Sequence, residues 1–320
     1  MIIYYKQNNG TASGLTRVEQ AVMFAIENES DIQKTKHTVC NAVFNIEGPR
    51  KFGEGLGLEV SDEPAEDSGL QKCAENVQFM KEFVIPAQMF DEYDLTDLWL
   101  IEQRAKFFIQ AYYKALNKIC EAALMNGEKT EMYFNGEKQD ISLPGGESLF
   151  SDAHRWGKEG EICGEQSNYF RGSFFDSDEE FENAFKKLCD KLKEIKAEDG
   201  VPLGYVADTI IIPCNQSKLH EMVLRMCCND GFRHFVIVVM PNWYTERPRL
   251  MIMSSEANKE LSGNMFFNRV PLVVSNWVDS HTGNYIWNGR CRFGVGFGSY
   301  KHILLAVDSK EETDGATPIE

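Results

Sequence analysis

The 320-residue chain has no run of 18 consecutive apolar residues, no basic leader ahead of an apolar core, and no surplus of basic charge. The first two absences exclude an evident membrane span or signal peptide and lead us to expect a protein made and kept in the cytosol. The third bears on partners. With 33 Lys plus Arg against 49 Asp plus Glu, the net charge is −16, whereas gripping a phosphate backbone calls for the opposite balance. Nine cysteines (Cys40, Cys73, Cys120, Cys163, Cys189, Cys214, Cys227, Cys228 and Cys291) are scattered without a CxxC pair. The adjacent Cys227 and Cys228 have poor geometry for a mutual disulfide. An odd count without framework spacing fits reduced thiols.

Catalytic signatures are equally sparse. Ser151, Asp152 and His154 supply the residue types of a triad, but as near neighbours in sequence they rarely orient one another, because a nucleophile and its base meet across a fold. No GxSxG elbow is present. Gly294-Val295-Gly296-Phe297-Gly298 lacks the Lys-Ser/Thr, the preceding strand and the following helix of a phosphate loop, and reads as a glycine-rich turn. His37, His154, His220, His234, His281 and His302 are far apart, with no HExxH and no paired cysteines, so no metal site is expected. The acids of Asp176-Ser177-Asp178-Glu179-Glu180 stand at a helix start, where the macrodipole favours them without any catalytic purpose. The aromatic residues are spread out rather than set in basic clusters, which suits core or interface use. The expectation is no catalytic, cofactor-binding or metal-binding residue.

Apolar residues make up 43% of the chain, enough for a true core. The first ten residues read as loose, and Arg17 to Glu29 as an amphipathic helix. Residues 48–69 shift to glycine, proline and acid, an extended excursion. Val77 to Pro86 reads as a strand ended by its proline. From Thr96 to Met125 apolar residues recur in steps of three and four: Leu98, Ile101, Ala105, Phe108, Tyr112, Ala115, Ile119 and Ala122. Asp94 and Thr96 are candidate N-caps, and Gly127 a candidate C′ glycine. At 1.5 Å per residue the helix would be roughly 45 Å long, a spine across an elongated subunit. Asn126 to Ser167 reads as a polar connection. Ser177 and Glu180 form a capping box for a second helix striped by Phe181, Phe185, Leu188 and Leu192. Asp208 to Pro213 is a short buried strand, and Asn215 can cap a third helix. Strand candidates follow at 235–240, 250–253, 270–275, 284–287 and 303–307. The stretch from Lys310 to Glu320 is acidic and turn-rich. The order reads as α+β.

Four stretches resemble the major head subunit of Mu-type tailed phages, with the Hong Kong 97-type capsid fold. Phe83-Val84-Ile85-Pro86, the acidic Phe90-Asp91-Glu92-Tyr93-Asp94 and the helix ending Leu124-Met125-Asn126-Gly127 are similar to that family's strand, acidic turn and spine helix. Leu149-Phe150-Ser151-Asp152-Ala153-His154 resembles its LFS-x-AH segment. Glu198-Asp199-Gly200-Val201-Pro202-Leu203-Gly204 ahead of Ile210-Ile211-Ile212-Pro213 resembles its DGxPLG…LVVP signature. Arg269-Val270-Pro271-Leu272-Val273-Val274-Ser275-Asn276-Trp277 with Trp287 resembles its last pair of strands. Asn268 departs from the family's Gly and Asn276 from its Pro, and 229–263 is longer than usual.

The resemblance implies a spine helix, an extended loop, and peripheral and axial domains. Residues 1–47 would be an N-terminal arm and helix, and 48–84 the extended loop overlapping a neighbour. Residues 85–166 would form the peripheral domain with its spine at 96–125, and 167–275 the axial domain. Residues 276–320 would return to the peripheral domain and end in a tail. It implies a major capsid protein assembling into pentamers and hexamers of an icosahedral or prolate head around double-stranded DNA, in the cytoplasm of a bacterial host. Its partners would be itself, a portal, a scaffold or protease, a decoration protein, and DNA held by weak non-specific contact, with no membrane and no cofactor. Two other readings stand beside it: an encapsulin-like nanocompartment shell, and a soluble hydrolase or nucleotide-binding enzyme using His154 or Gly294–Gly298.

Overall fold

The computed structural model describes residues 3–6, 17–36, 38–47, 77–91, 95–157, 163–173, 177–228 and 230–308. The excursion read at 48–69, the candidate cap Asp94, and the stretch from Lys310 onward lie outside them. Strand β1 (Ile3–Lys6) precedes helices α1 (Arg17–Lys34) and α2 (Val39–Val43), strand β2 (Asn45–Glu47), strand β3 (Val77–Ile85) and the short helix α3 (Ala87–Asp91). The expected spine is α4 (Leu95–Met125), whose 31 residues span about 46 Å at the standard rise. Thr96 therefore lies inside the helix rather than capping it.

The residues expected to form a polar connection fold into two hairpins, β4 (Glu131–Phe134) with β5 (Glu137–Asp140), and β6 (His154–Trp156) with β7 (Gly164–Gln166). The first turns on Asn135 and Gly136, at φ 52° and 84°. Both residues of a type I′ turn need positive φ, which is why Asn-Gly is its strongest signal. Flanked by the inward Met132 and Phe134, that dipeptide makes the hairpin readable in the sequence.

Strand β8 (Tyr169–Gly172), helix α5 (Asp178–Glu194), strand β9 (Thr209–Pro213), helix α6 (Ser217–Cys227), strands β10 (Val236–Met240) and β11 (Arg249–Met253), and helix α7 (Ser255–Glu260) follow. Strands β12 (Asn264–Val278), β13 (Tyr285–Phe297) and β14 (Ile303–Asp308) complete the described elements. The Ser177 hydroxyl accepts from the Glu180 amide and caps α5, as its spacing predicts. Asn215 does not cap α6. Its side chain brackets Thr245 instead, donating to the carbonyl at 2.8 Å and accepting from the amide at 3.1 Å.

Two five-stranded sheets organise the molecule. One has the order β1-β12-β13-β3, with β2 also on β12. Ile3–Lys6, expected to be loose, pairs in parallel with Val273–Asn276. Asn276 donates to the buried carboxylate of Glu19 at 3.0 Å and so ties α1 to this sheet. The other sheet has the order β10-β9-β11-β14-β8. Its central strands are buried on both faces and alternate between two cores. Ile211, Met251, Met253, Ile303 and Leu305 join α4 and the first sheet. Ile210, Ile212, Leu250, Ile252 and Leu304 pack under α5 and α6.

The spine seats on the first sheet through aromatic contacts. Phe83 lies 5.3 Å from Phe108 and stacks on Trp287 at 6.0 Å, and Phe79 meets Tyr112 edge-on at 5.8 Å. At its end Gly127 is not in the left-handed region expected of a C′ glycine. A Cβ there would stand 2.7 Å from the Phe150 ring. The glycine in this turn serves close packing against Phe150, not a left-handed cap.

Candidate assembly surfaces

The residues that could have formed an enzyme site are locked into the framework. His154 is fully buried and stacked on Tyr300, with ring centroids 3.7 Å apart. Its Nδ1 faces a Glu147 carboxylate oxygen at 2.8 Å. Its Nε2 faces the Leu149 carbonyl at 3.2 Å and the Asn168 amide oxygen at 3.1 Å. Both ring nitrogens are engaged by these framework partners, and neither is paired with the Ser151 hydroxyl. The Ser151 hydroxyl accepts from the Ala153 amide at 3.2 Å, and Asp152 is exposed. The structure brings the three together in sequence but not in chemistry.

The organiser here is Asn168, to which the sequence reading gave no role. Fully buried, it accepts from the Ser151 amide at 3.0 Å and donates to the carbonyls of Leu149 at 2.8 Å and Ile303 at 3.2 Å. It thereby sews the 149–154 segment to β14. Removing it leaves several buried backbone groups unpaired, each costing about 1–3 kcal/mol. Asn168→Leu is therefore expected to destabilise by at least about 3 kcal/mol, while Ser151→Ala stays within about 1 kcal/mol. Chemical denaturation of both variants checks this, and equal losses would refute the assignment.

Gly294–Gly298 is not a turn. Residues 294–297 belong to β13, with Gly294 opposite Phe267 and Gly296 opposite Met265. The chain there is extended and hydrogen-bonded, so it cannot curl around a phosphate. Glu121, buried near the C-terminal end of the spine, is another polar residue the sequence did not flag. It accepts from the Asn117 side chain and, at 3.0 Å, from the Asn242 amide. Burial raises its pKa while those hydrogen bonds oppose the rise. With no exposed surface, it anchors the loop after β10 and cannot reach a substrate. Burial also pushes the thiols of Cys189 and Cys291 up to about 12 and raises that of Cys120, so none is poised as a nucleophile. His37 and Cys73 lie outside the described residues. Among the described residues no group of three or more His, Cys, Asp or Glu is placed to hold a metal ion, no cysteine forms a disulfide, and no helix is long and apolar enough to cross a membrane.

The surface is more telling than the interior. On α4 the outward face carries Trp99 (58% exposed), Leu100 and Phe107 (63% exposed). Steps of three and four along a helix place residues on one face, so Trp99, Gln103 and Phe107 form one stripe, with Lys114 and Lys118 further along it. Met80 and Val84 are exposed on β3, an edge strand of the first sheet. Val236 and Val239 are exposed on β10, an edge strand of the second. Single exposed apolar residues are ordinary. Apolar groups clustered on one helix face and along two sheet edges are the pattern of surfaces that another molecule covers.

No protein-family model matches the sequence, and no curated protein matches it. Solved structures do. The chain is similar to the virus-like particle of Pyrococcus furiosus at 10% identity and TM-score 0.50, covering 91% of this chain and 100% of that one. It is similar to a phage-related protein of Bordetella bronchiseptica at 9% identity and TM-score 0.51, over 88% and 95% of the two chains. A structure from Mycobacterium phage Patience aligns at 10% identity and TM-score 0.51, over 97% and 92%. Spine helix, flanking sheet and the second sheet with its two helices together make an α+β fold of the Hong Kong 97 capsid type.

Proposed function

We propose that the chain is the major capsid protein of a tailed phage or prophage, a non-enzymatic subunit that closes with its own copies into the pentamers and hexamers of a head. The observation carrying this reading is the match to the Pyrococcus virus-like particle over 91% of this chain and the whole of that one. Matches to phage structures of equal quality stand beside it. Residues 48–84 are then the extended loop returning through β3, residues 85–166 the peripheral domain, residues 167–275 the axial domain, and residues 276–320 the return and tail. Double-stranded DNA is the expected content, touched weakly by a subunit of net charge −16. Portal, scaffold or protease, and decoration proteins are the expected partners, and the host cytoplasm the expected place of assembly. Because one of the matched structures is a virus-like particle, a shell holding cargo in place of a genome is the second reading.

Each contact in such a shell can be weak, since stability accumulates over many copies. Negative-stain microscopy of the purified protein is expected to show closed particles, and nucleic acid in particles from lysates separates the two readings. A strictly monomeric protein under assembly conditions would overturn both. The exposed apolar stripe gives a sharper test. Trp99→Glu combined with Phe107→Glu changes only solvent-facing positions, so the subunit is expected to keep its far-ultraviolet circular dichroism and denaturation midpoint. Burying those charges at a subunit contact costs several kcal/mol, so assembly is expected to fall at least about tenfold by sedimentation. Normal particles from this variant would remove the stripe from the interface.

A further inference from the structure

Buried thiols meet where the N-terminal helices lie against the spine. Tyr113, Asn117 and Cys120 follow one another on α4 at steps of four and three, and so share one face of the helix. That face is covered by α1 and α2. The Tyr113 hydroxyl meets Ser30 Oγ at 2.8 Å, and the Asn117 amide oxygen accepts from the Cys40 amide at 3.2 Å. Cys40 stands in the first turn of α2, and the turn of the spine past Asn117 brings Cys120 beside it. The seat of α2 is fixed from its other side as well. Thr38 caps it, and the Asn41 side chain donates to the Gln33 and Lys36 carbonyls at the end of α1. Both thiols are free, Cys40 at 4% exposed and Cys120 at 0%. Burial and the neighbouring Cys40 thiol together hold the Cys120 thiol well above its usual range, so Cys120 is protonated and inert while α2 is seated. An S–H group is a weak donor and a weak acceptor, and the contact itself adds little to stability. What the pair has that other small apolar residues lack is the ability to join.

We propose that Cys40 and Cys120 are a latent disulfide, open in reducing surroundings and closed by a small disulfide oxidant into a covalent staple between α2 and the spine. When α2 lifts locally, one thiol loses its proton and attacks the oxidant, here oxidised glutathione. It displaces one glutathione thiolate and leaves a mixed disulfide. The second protein thiolate then attacks the protein sulfur, forming the Cys40–Cys120 bond and displacing the second glutathione. The protein loses both S–H bonds and gains one S–S bond, and the oxidant carries away both electrons and both protons as thiols. The folded chain favours this pair because it holds the sulfurs together, whereas an unfolded chain has to close a loop of about 80 residues. For the same reason the staple stabilises the fold, by removing that loop's freedom from the unfolded state. The loop leaves α2 through β2 and returns through β3 to α4, so one bond ties both of its ends at the spine. The proposal holds whether or not the subunit builds a shell.

Peptide mapping of the intact chain without reductant tests it. After equilibration with oxidised glutathione, a linked peptide joining Cys40 to Cys120 is expected to exceed any other pair at least about tenfold, and dithiothreitol to abolish it. The oxidised protein is expected to melt about 5 °C higher than the reduced one. Cys40→Ser and Cys120→Ala are each expected to lose both the linked peptide and the shift. Cys228→Ser, at an exposed position, is expected to keep them. The mapping needs no variant, so the pairing is decided even where a substitution unfolds the chain. Glutathione retained on Cys40 or Cys120 with no link between them overturns the proposal. So do thiols left unmodified after full equilibration in mild denaturant, where α2 opens, and a link from either one to Cys73 or Cys291. A linked pair without a rise in melting temperature overturns its role as a staple.

Discussion

Replacing Gly289 with valine is expected to destabilise the folded subunit by at least about 3 kcal/mol. Gly289 stands in the middle of β13 directly beneath the spine. A Cβ at that point would lie 2.2 Å from Phe108 Cζ and 3.2 Å from Leu272 Cδ1. A flexible neighbour could swing away, but Phe108 is fully buried and held by Phe83 at 5.3 Å. The strand or the helix must move instead, and α4 is the element on which α1, the first sheet and the second sheet all converge. Two effects oppose each other here. Valine suits a strand better than glycine does, by up to about 1 kcal/mol. The overlap costs more, because a close-packed interior yields little. Phe108→Leu, which trims the ring, is expected to recover part of the loss when combined with Gly289→Ala. Denaturant unfolding of both single variants and the double variant then yields a coupling energy of about 1–3 kcal/mol. Strictly additive losses would mean that the glycine answers to something other than Phe108.

Acid is expected to weaken the subunit through His302. This ring is fully buried beside Gly263 and Asn258, with neither nitrogen in a well-formed hydrogen bond. Burial lowers its pKa from 6.5 to about 3, a fall that the Ser299 backbone only partly offsets. The unfolded chain therefore takes up a proton as the pH drops through 6.5, while the folded chain holds off until about 3. Folding stability is complete above pH 6.5. Below it the loss approaches 1.4 kcal/mol per pH unit and levels off near pH 3, about 5 kcal/mol in all. Between pH 6.5 and 5 that amounts to about 2 kcal/mol, a large share of the 5–15 kcal/mol typical of a folded domain. His302→Leu removes the titrating group at a packing cost of about 1–2 kcal/mol. It is expected to be less stable than the unaltered chain at pH 7.5 yet to lose about 2 kcal/mol less on going to pH 5. Parallel stability–pH curves for the two proteins would assign the acid sensitivity to other groups.

How far the sequence alone reached differs by element. The spine could be read almost to the residue, because the information for a helix lies within a short window. Leu98, Ile101, Ala105, Phe108 and Tyr112 repeat at helical spacing, and the observed span of Leu95–Met125 differs from the expected one by a single residue. The Ser177 cap and the apolar run Ile210–Pro213 of β9 were legible for the same local reason. The sheets were only partly legible. β12 runs for 15 residues, yet register shifts between Phe267 and Val270 and again between Val270 and Val273 break its alternation. Only its Val270–Ser275 stretch was recognisable as a strand. Gly294–Gly298 resembled a turn because glycine composition says nothing of a partner strand thirty residues upstream.

What the sequence by itself determined was the local grammar of this protein: the long amphipathic spine, the capped second helix, the short buried strand and an acidic balance unsuited to gripping DNA. Only the tertiary structure decided that Ile3–Lys6 pairs with a strand some 270 residues away, that His154 is stacked under Tyr300 and held by framework partners, and that Gly127 and Gly289 exist to let rings approach. It also decided that Trp99 and Phe107 are left uncovered. Periodicity and capping are interactions between residues a few positions apart and are written in order along the chain. Strand pairing, close approach and exposure depend on which distant segments meet, and that is settled when all the apolar faces are buried together.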